Sequence, residues 1–209
     1  GIHVRALTRR DQPHREGVSW IAGNLDSEDA LARLASGADA VVHIAGVVNA
    51  PTPEGFIHGN VDGTRRMAAA AASMGVKRFV HVSSMSAREP QLSQYGRSKE
   101  LAEQEVRDSG LDWTMIRPPG VYGPGDMEMR DVFRMAKMGF VVLPPAGRTS
   151  LIHVADLARL LVTLALTDPD RHIYECDDGV EGGYTLAEFA RLVGTAVGMA
   201  AYGLKPVVE

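Results

Sequence analysis

The sequence predicts an α/β fold, a mostly parallel sheet covered by helices, and three observations carry that expectation. Short β-branched runs alternate with Ala- and Leu-rich stretches, the rhythm of repeated strand–helix–strand units. One run, Ala40-Val41-Val42-His43-Ile44-Ala45, is apolar nearly throughout, as expected of a strand with helices on both faces. Gly75, Gly110 and the pair Pro118-Pro119 stop these stretches where helices and strands should end.

In chain order, residues 2–8 and Val18–Ala22 read as strands, and residues 27–36 as a helix with Ser27 as its N-cap. The apolar strand over 40–45 follows. Residues 60–74 form a long Ala-rich helix closed by Gly75, with Asn60 in position to cap it. Residues 79–83 are the next strand, 95–109 a helix ended by Gly110, and Trp113–Arg117 a strand stopped by prolines. From 121 to 147 the composition shifts toward Met, Gly and Pro, which reads as loops and short helices of a smaller lobe. Met127, Met129, Met135 and Met138 would pack that lobe or give it a pliable apolar wall. Residues 151–154 and the helix 155–166 read as a return to the main sheet, 174–177 as a late strand, and 185–197 as a late helix. Thr185 and Glu188 form a capping box at its start. The organisation expected is a nucleotide-type domain over 1–118 and a small substrate lobe over 119–209, with about 151–177 returning to the sheet.

The 209 residues suffice for one full core. A net charge of −4 gives no electrostatic case for nucleic acid or an anionic membrane. No apolar run approaches the roughly 18 residues of a membrane-spanning helix, and the best, 157–166, contains Arg159. The single cysteine, Cys176, forms no intramolecular disulfide and fits a reducing compartment, so a soluble cytoplasmic protein is expected. No His, Cys or carboxylate spacing suggests a metal site.

The chemistry is carried by Tyr95-x-x-x-Lys99. Residues i and i+4 share a helix face, so the ammonium can lie beside the phenol and favour its phenolate. A tyrosine with a free pKa of about 10 can then exchange a proton near neutrality. Ser83 and Ser84 end the preceding strand, where a hydroxyl suits the same reaction.

Six segments occur in one order: Val42-His43-Ile44-Ala45-Gly46, Asn60-Val61-Asp62-Gly63-Thr64, Val82-Ser83-Ser84, Tyr95-x-x-x-Lys99, Arg117-Pro118-Pro119-Gly120-Val121-Tyr122-Gly123-Pro124-Gly125-Asp126, and Leu151-Ile152-His153-Val154-Ala155-Asp156-Leu157-Ala158. Together they resemble the extended short-chain dehydrogenase/reductase family, the NAD(P)-dependent epimerase/dehydratase group, over nearly the whole chain. The resemblance implies a Rossmann-type doubly wound sheet and a small-molecule substrate. Ser84, Tyr95 and Lys99 would be catalytic, with Ser86 a less favoured substitute for Ser84. It places Ala45 and Gly46 at the cofactor, Ser83 near the nicotinamide, Lys99 on the nicotinamide ribose with Tyr95 beside it, and the backbone of Pro118, Gly120 and Val121 along its flank. Asn60 would brace the strand region near the site. His43 reads as a satisfied core histidine, His153 and Asp156 as structural, and Arg117 as open to an internal salt bridge. A homodimer through the helices 60–74 and 95–109 is also implied.

The resemblance makes the end of the first strand a test of cofactor choice, because an acidic residue there binds a ribose 2′-hydroxyl and repels a 2′-phosphate. Thr8 stands in that place and Arg9 and Arg10 follow, which favours NADP over NAD. Asn24, with Leu25 next to it, stands where the family has an aspartate beside the adenine. The family's glycine-rich turn is not found before Ile2, so the chain reads as lacking a β-α unit of about 30 residues, and its end near 203–209 reads as abrupt. Only ten residues, Met85 to Gln94, separate Ser84 from Tyr95. That is shorter than in sugar-nucleotide epimerases and favours a smaller substrate. The activity expected is hydride exchange at a hydroxyl or carbonyl; a sugar epimerase or dehydratase, or a dinucleotide-sensing subunit, are the alternatives.

Overall fold

Alternating runs of branched and helix-forming residues produce two compact units, residues 1–117 with 159–175, and residues 118–158 with 176–209. The computed structural model describes residues 1–126, 129–138, 140–142, 147–196 and 205–207. Met127, the side chain of Met129 and most of 203–209 lie outside the described residues.

In the first unit, β1 (Val4–Thr8) and β2 (Val18–Ala22) pair in parallel, Val4 opposite Val18 and Thr8 opposite Ala22. The helix α1 (Glu28–Ala35) follows. Ser27 precedes it without capping it, because its hydroxyl donates to Asn24 Oδ1 at 3.1 Å. A second parallel sheet has the order β10 (Ile173–Glu175), β5 (Trp113–Arg117), β4 (Arg78–Val82), β3 (Ala40–His43). The core lies under its face: Val41, Phe79 and Met115 from the strands meet Leu31 and Ala35 of α1 and Met67, Ala68 and Ala71 of α3 (Gly63–Ser73). Leu7 and Leu25 join the same cluster, so both sheets share one core. Burying a side chain of the size of Phe79 or Met67 contributes about 1.5–3 kcal/mol.

Two local expectations are corrected. The apolar strand expected over 40–45 stops at His43, and its outer face is not covered: Val42 is 36% exposed and Ile44 61%. Among the described residues β3 pairs with β4 alone, and alternate side chains at 42 and 44 point away from the helices that bury 41 and 43. The helix expected to start at Asn60 begins instead at α2 (Pro53–Phe56), where the Thr52 hydroxyl accepts from Gly55 N. It widens into a π-helical turn over Ile57–Asp62 before α3, so Asn60 is interior to the helix and not its cap.

The second unit contains β6 (Gly120–Tyr122) parallel to β9 (Leu151–His153), β7 (Phe140–Val142) parallel to β12 (Lys205–Val207), and β8 (Arg148–Thr149) antiparallel to β11 (Tyr184–Thr185). Its helices are α5 (Met129–Lys137) and α7 (Leu186–Ala196), packed through Val132, Phe133, Ala136, Phe189, Ala190 and Val193. Met135 is half-buried and Met138 exposed. The Thr185–Glu188 capping box forms, with Thr185 N donating to Glu188 and Glu188 N to Thr185 Oγ1. The helix α6 (Val154–Leu166) runs through both segments of the chain. Among the described residues, no helix is long and apolar enough to cross a membrane.

The buried pair His43 and His81 stacks at 5.5 Å between ring centroids. His43 is bonded to Thr64 Oγ1 at 3.0 Å, but neither ring nitrogen of His81 has a partner. Burial first, and the Lys99 charge second, hold His43 down from 6.5 to about 3 and push His81 well below its ordinary range. The folded state therefore binds fewer protons here than the unfolded chain. This contribution to stability is complete above pH 6.5 and is lost as pH falls toward 3. His81→Leu removes two unpartnered polar atoms and one acid-sensitive group. It should raise the unfolding free energy by about 1–3 kcal/mol and flatten its decline between pH 6 and 4, measured by denaturant titration.

Candidate active site

The centre of the site is one face of α4 (Gln94–Asp108), where Tyr95, Lys99 and Glu103 follow at intervals of four. Ser93 caps this helix, its hydroxyl accepting from Gly96 N at 2.9 Å. Gly96 matters sterically: a Cβ there would sit 2.5 Å from the Ser86 carbonyl oxygen. The first turn of α4 thus lies directly on the short 3₁₀ helix Met85–Arg88 that leaves β4. Tyr95 is half-buried, with the Phe56 ring 6.3 Å away.

Lys99 is 5% exposed and donates from Nζ to the Val82 carbonyl at 2.8 Å. Burial lowers its pKa to about 8, against the opposing pull of the Glu103 carboxylate. Glu103 is completely buried and accepts four bonds: from Ser83 Oγ at 2.6 Å, Arg117 Nε at 2.7 Å, Arg117 Nη2 at 2.8 Å and Arg107 Nη2 at 2.9 Å. Burial works against its charge, but the Arg117 and Ser83 bonds outweigh it and hold its pKa below the ordinary carboxylate range. Arg117 takes the internal salt bridge that the sequence left open.

Ser83 is buried, with its hydroxyl on Glu103 and its N–H on the Ile116 carbonyl. Ser84 is extended and half-buried. Its Oγ accepts from Ser86 N at 3.2 Å, leaving its proton available to a ligand. Ser86 is exposed.

Asn60 joins this region to the exit of β3. Its Oδ1 accepts from Val47 N at 2.7 Å, and its Nδ2 donates to Val47 O at 3.0 Å and to Ser98 Oγ at 2.8 Å. A Cβ on Gly46 would lie 2.7 Å from Asn60 Oδ1, so only glycine allows this brace, and Ala45 and Gly46 stay exposed. The chain thus gathers Ala45, Gly46, Ser83, Ser84, Tyr95 and Lys99 around the first turns of α4.

A second group lies at the ends of β1 and β2. Thr8, Arg9, Arg10, Gly23 and Asn24, with Trp20 and the acidic Asp11 among the others, line an open cavity of about 580 Å³. The Thr8 hydroxyl donates to the Arg10 carbonyl and accepts from Arg10 N, which folds the two arginines into a tight turn. Neither arginine has a carboxylate within salt-bridge distance among the described residues. Asn24 Oδ1 accepts from Asp26 N and Ser27, while Leu25 is turned into the core against Gly63. Two unmatched guanidiniums beside a nucleoside-sized cavity, and a strand exit open at Gly46, suit an anionic dinucleotide. Pro118, Gly120 and Val121 belong to the second unit, Pro118 buried and the other two paired with Leu151 and Ile152 of β9. There His153 Nδ1 accepts from Ala155 N and its ring meets Tyr122 edge-on, a structural use.

Glu103 is the residue that the motifs missed. It follows Lys99 by one helical turn, but Glu100 and Glu105 stand beside it in the sequence, and the approach of Arg117 alone separates it from them.

Parallel strands, helices on their flanks, and a phenol–ammonium pair at the strand ends define a dinucleotide-dependent α/β protein. Residues 1–169 match the NAD(P)H-binding family model, and the chain belongs to that family. It is 42% identical over 197 residues to the "Ceramide reductase" of Caulobacter vibrioides (strain NA1000 / CB15N), covering 91% of this chain and 62% of the relative. It is 28% identical over 209 residues to the 4-hydroxy-2-methyl-3-oxo-4-farnesyl-3,4-dihydroquinoline-1-oxide ketoreductase of Stigmatella aurantiaca, covering 86% and 62%. The chain thus spans 62% of the length of each of these two curated relatives. Among solved structures, WbmH of Bordetella bronchiseptica in complex with NAD+ aligns with a TM-score of 0.80 at 21% identity, over 98% of this chain and 77% of that one. MoeE5 in complex with UDP-glucose and NAD aligns at 0.79 and 24% identity, over 98% and 77%. Both share the fold.

Proposed function

We propose that the protein is an NAD(P)H-dependent oxidoreductase that interconverts a ketone and a secondary alcohol. The observation that carries this reading is the buried Lys99 ammonium, fixed on the Val82 carbonyl and on the same helix face as Tyr95. Tyr95 would give its proton to the carbonyl oxygen during reduction, and Lys99 would hold the resulting phenolate by charge and contact the nicotinamide ribose. Ser84 would donate its free hydroxyl proton to the same oxygen. A bound nicotinamide would supply hydride exchange at its C4. Ala45 and Gly46 would line its approach, while Ser83 would shape the floor by fixing its neighbour Ser84. Gly120 and Val121 would belong to a substrate-binding lobe that follows Pro118. In this reading residues 1–118 bind the nucleotide and 119–209 the substrate.

The ten-residue connection from Ser84 to Tyr95 favours a substrate smaller than a nucleotide sugar, and so a reductase over an epimerase. The relatives named as a ceramide reductase and as a ketoreductase of a farnesylated dihydroquinoline oxide support the same reading, toward a ketone on an apolar molecule. A cytoplasmic homodimer paired through α3 and α4 completes the proposal.

NADPH is the preferred nucleotide in this reading, because Arg9 and Arg10 offer two unmatched guanidiniums to a 2′-phosphate, with Thr8 and Asn24 on the ribose and adenine side. The double variant Arg9→Ala/Arg10→Ala should raise KM for NADPH about 10- to 100-fold and leave KM for NADH within about 2-fold. Equal effects on both nucleotides would reject the 2′-phosphate site.

A further inference from the structure

Lys99 and Glu103 hold consecutive residues of the same strand exit. Lys99 Nζ donates to the carbonyl of Val82, and one turn further along α4 the Glu103 carboxylate accepts from the hydroxyl of Ser83. The next residue is Ser84. Two side chains of one helix therefore set where Ser84 stands relative to Tyr95 on that helix. The same carboxylate takes both arms of Arg117 from the end of β5, and Arg117 reaches Glu175 of β10 at 3.8 Å, which also receives Arg88 of the 3₁₀ helix at 3.3 Å. The ends of three neighbouring strands are tied to α4 through one buried anion.

A side chain so completely buried is a costly place for a charge. Replacing the pair with apolar residues would often serve stability as well or better. The bonds here do something apolar packing cannot: they are directional, and they fix the exit of β4 in register with the helix. We propose that Glu103 is a positioning residue, a latch that holds Ser84 against the helix bearing Tyr95. The inference rests on the Ser84, Tyr95, Lys99 reading given above.

The groups facing Lys99 are Tyr95 and Glu103 on its own helix, His43 on β3 and His81 on β4, with Arg117 on β5 and Arg107 on α4 behind Glu103. The histidines are held neutral by burial, and Arg117 and Arg107 are cations, so Glu103 is the anion among these groups that favours a charged Lys99. Removing its charge lets burial drive the Lys99 pKa below about 8.

The test compares wild type with Glu103→Gln, Ser83→Ala and Tyr95→Phe, using NADPH and a medium-chain 3-oxo ester, with thermal midpoints taken on the same samples. Glu103→Gln should lower kcat about 10- to 100-fold with KM for NADPH within about 3-fold, and move the alkaline limb of the reduction profile to lower pH. Ser83→Ala keeps the carboxylate and its arginines. It should fold, lower kcat several-fold and leave the limb in place. If Glu103→Gln does not fold, Ser83→Ala decides: reduced kcat at a near-wild-type midpoint supports the latch, and wild-type kcat overturns it. Folded variants with lowered midpoints but unchanged kcat and an unmoved limb would make Glu103 a stabilising residue only, and also overturn it. Loss of activity in Tyr95→Phe alongside full activity in the other two sinks the latch alone, whereas full activity in Tyr95→Phe sinks the site reading beneath it.

Discussion

Tyr95→Phe is expected to lower kcat for ketone reduction by about 10²- to 10⁴-fold while the NADPH dissociation constant stays within about 2-fold. The substitution removes one oxygen and its proton from a half-buried ring that keeps its neighbour Phe56 at 6.3 Å. Packing is preserved and proton transfer is lost, so the effect belongs to the chemical step. Ser84 still has a proton to donate to the substrate oxygen, but a serine hydroxyl yields an alkoxide far less readily than a phenol yields a phenolate, so it does not restore the rate. Steady-state kinetics and fluorescence titration of NADPH on the same preparation check both halves.

Lys99→Met should cost about 10²-fold in kcat, close to 2.7 kcal/mol of transition-state stabilisation. Methionine fills much of the same space and keeps the apolar stem, so the loss reports the ammonium. The wild-type pH profile carries the same information. Lys99 is charged below about 8, where in the proposed mechanism it would hold the phenolate that reduction would leave on Tyr95, and neutral above it. Reduction should therefore be full below that pH and decline as pH rises through it. In Lys99→Met that limb should vanish. A limb that persists at the same pH in the variant would assign it to another group.

Much of the fold was legible in the sequence, because period and punctuation are local. Trp113–Arg117 was bounded correctly, with prolines at its end, and the Thr185–Glu188 pair capped its helix as the motif predicts. The exposure of Val42 and Ile44 was not legible, since an apolar run cannot show which neighbours its strand will have. Nor was the π-helical turn around Asn60, whose side chain is bonded to Val47, thirteen residues away along the chain. At the site, Tyr95 and Lys99 announced themselves by spacing. Glu103 did not: Glu100, Glu103 and Glu105 read alike along α4 until β5 brings Arg117 to one of them. Ser83 was legible as the end of a strand, while the partner of its hydroxyl depended on that same approach.

Isotope transfer from NADPH deuterated at the nicotinamide C4, followed in wild type and Tyr95→Phe with the 3-oxo ester, tests the central claim most directly. The account predicts one nucleotide oxidised per alcohol formed, deuterium on the new carbinol carbon, and both events slowed together by about 10²- to 10⁴-fold in Tyr95→Phe. Substrate conversion without net nucleotide oxidation, or an undiminished rate of deuterium transfer in Tyr95→Phe, would contradict it.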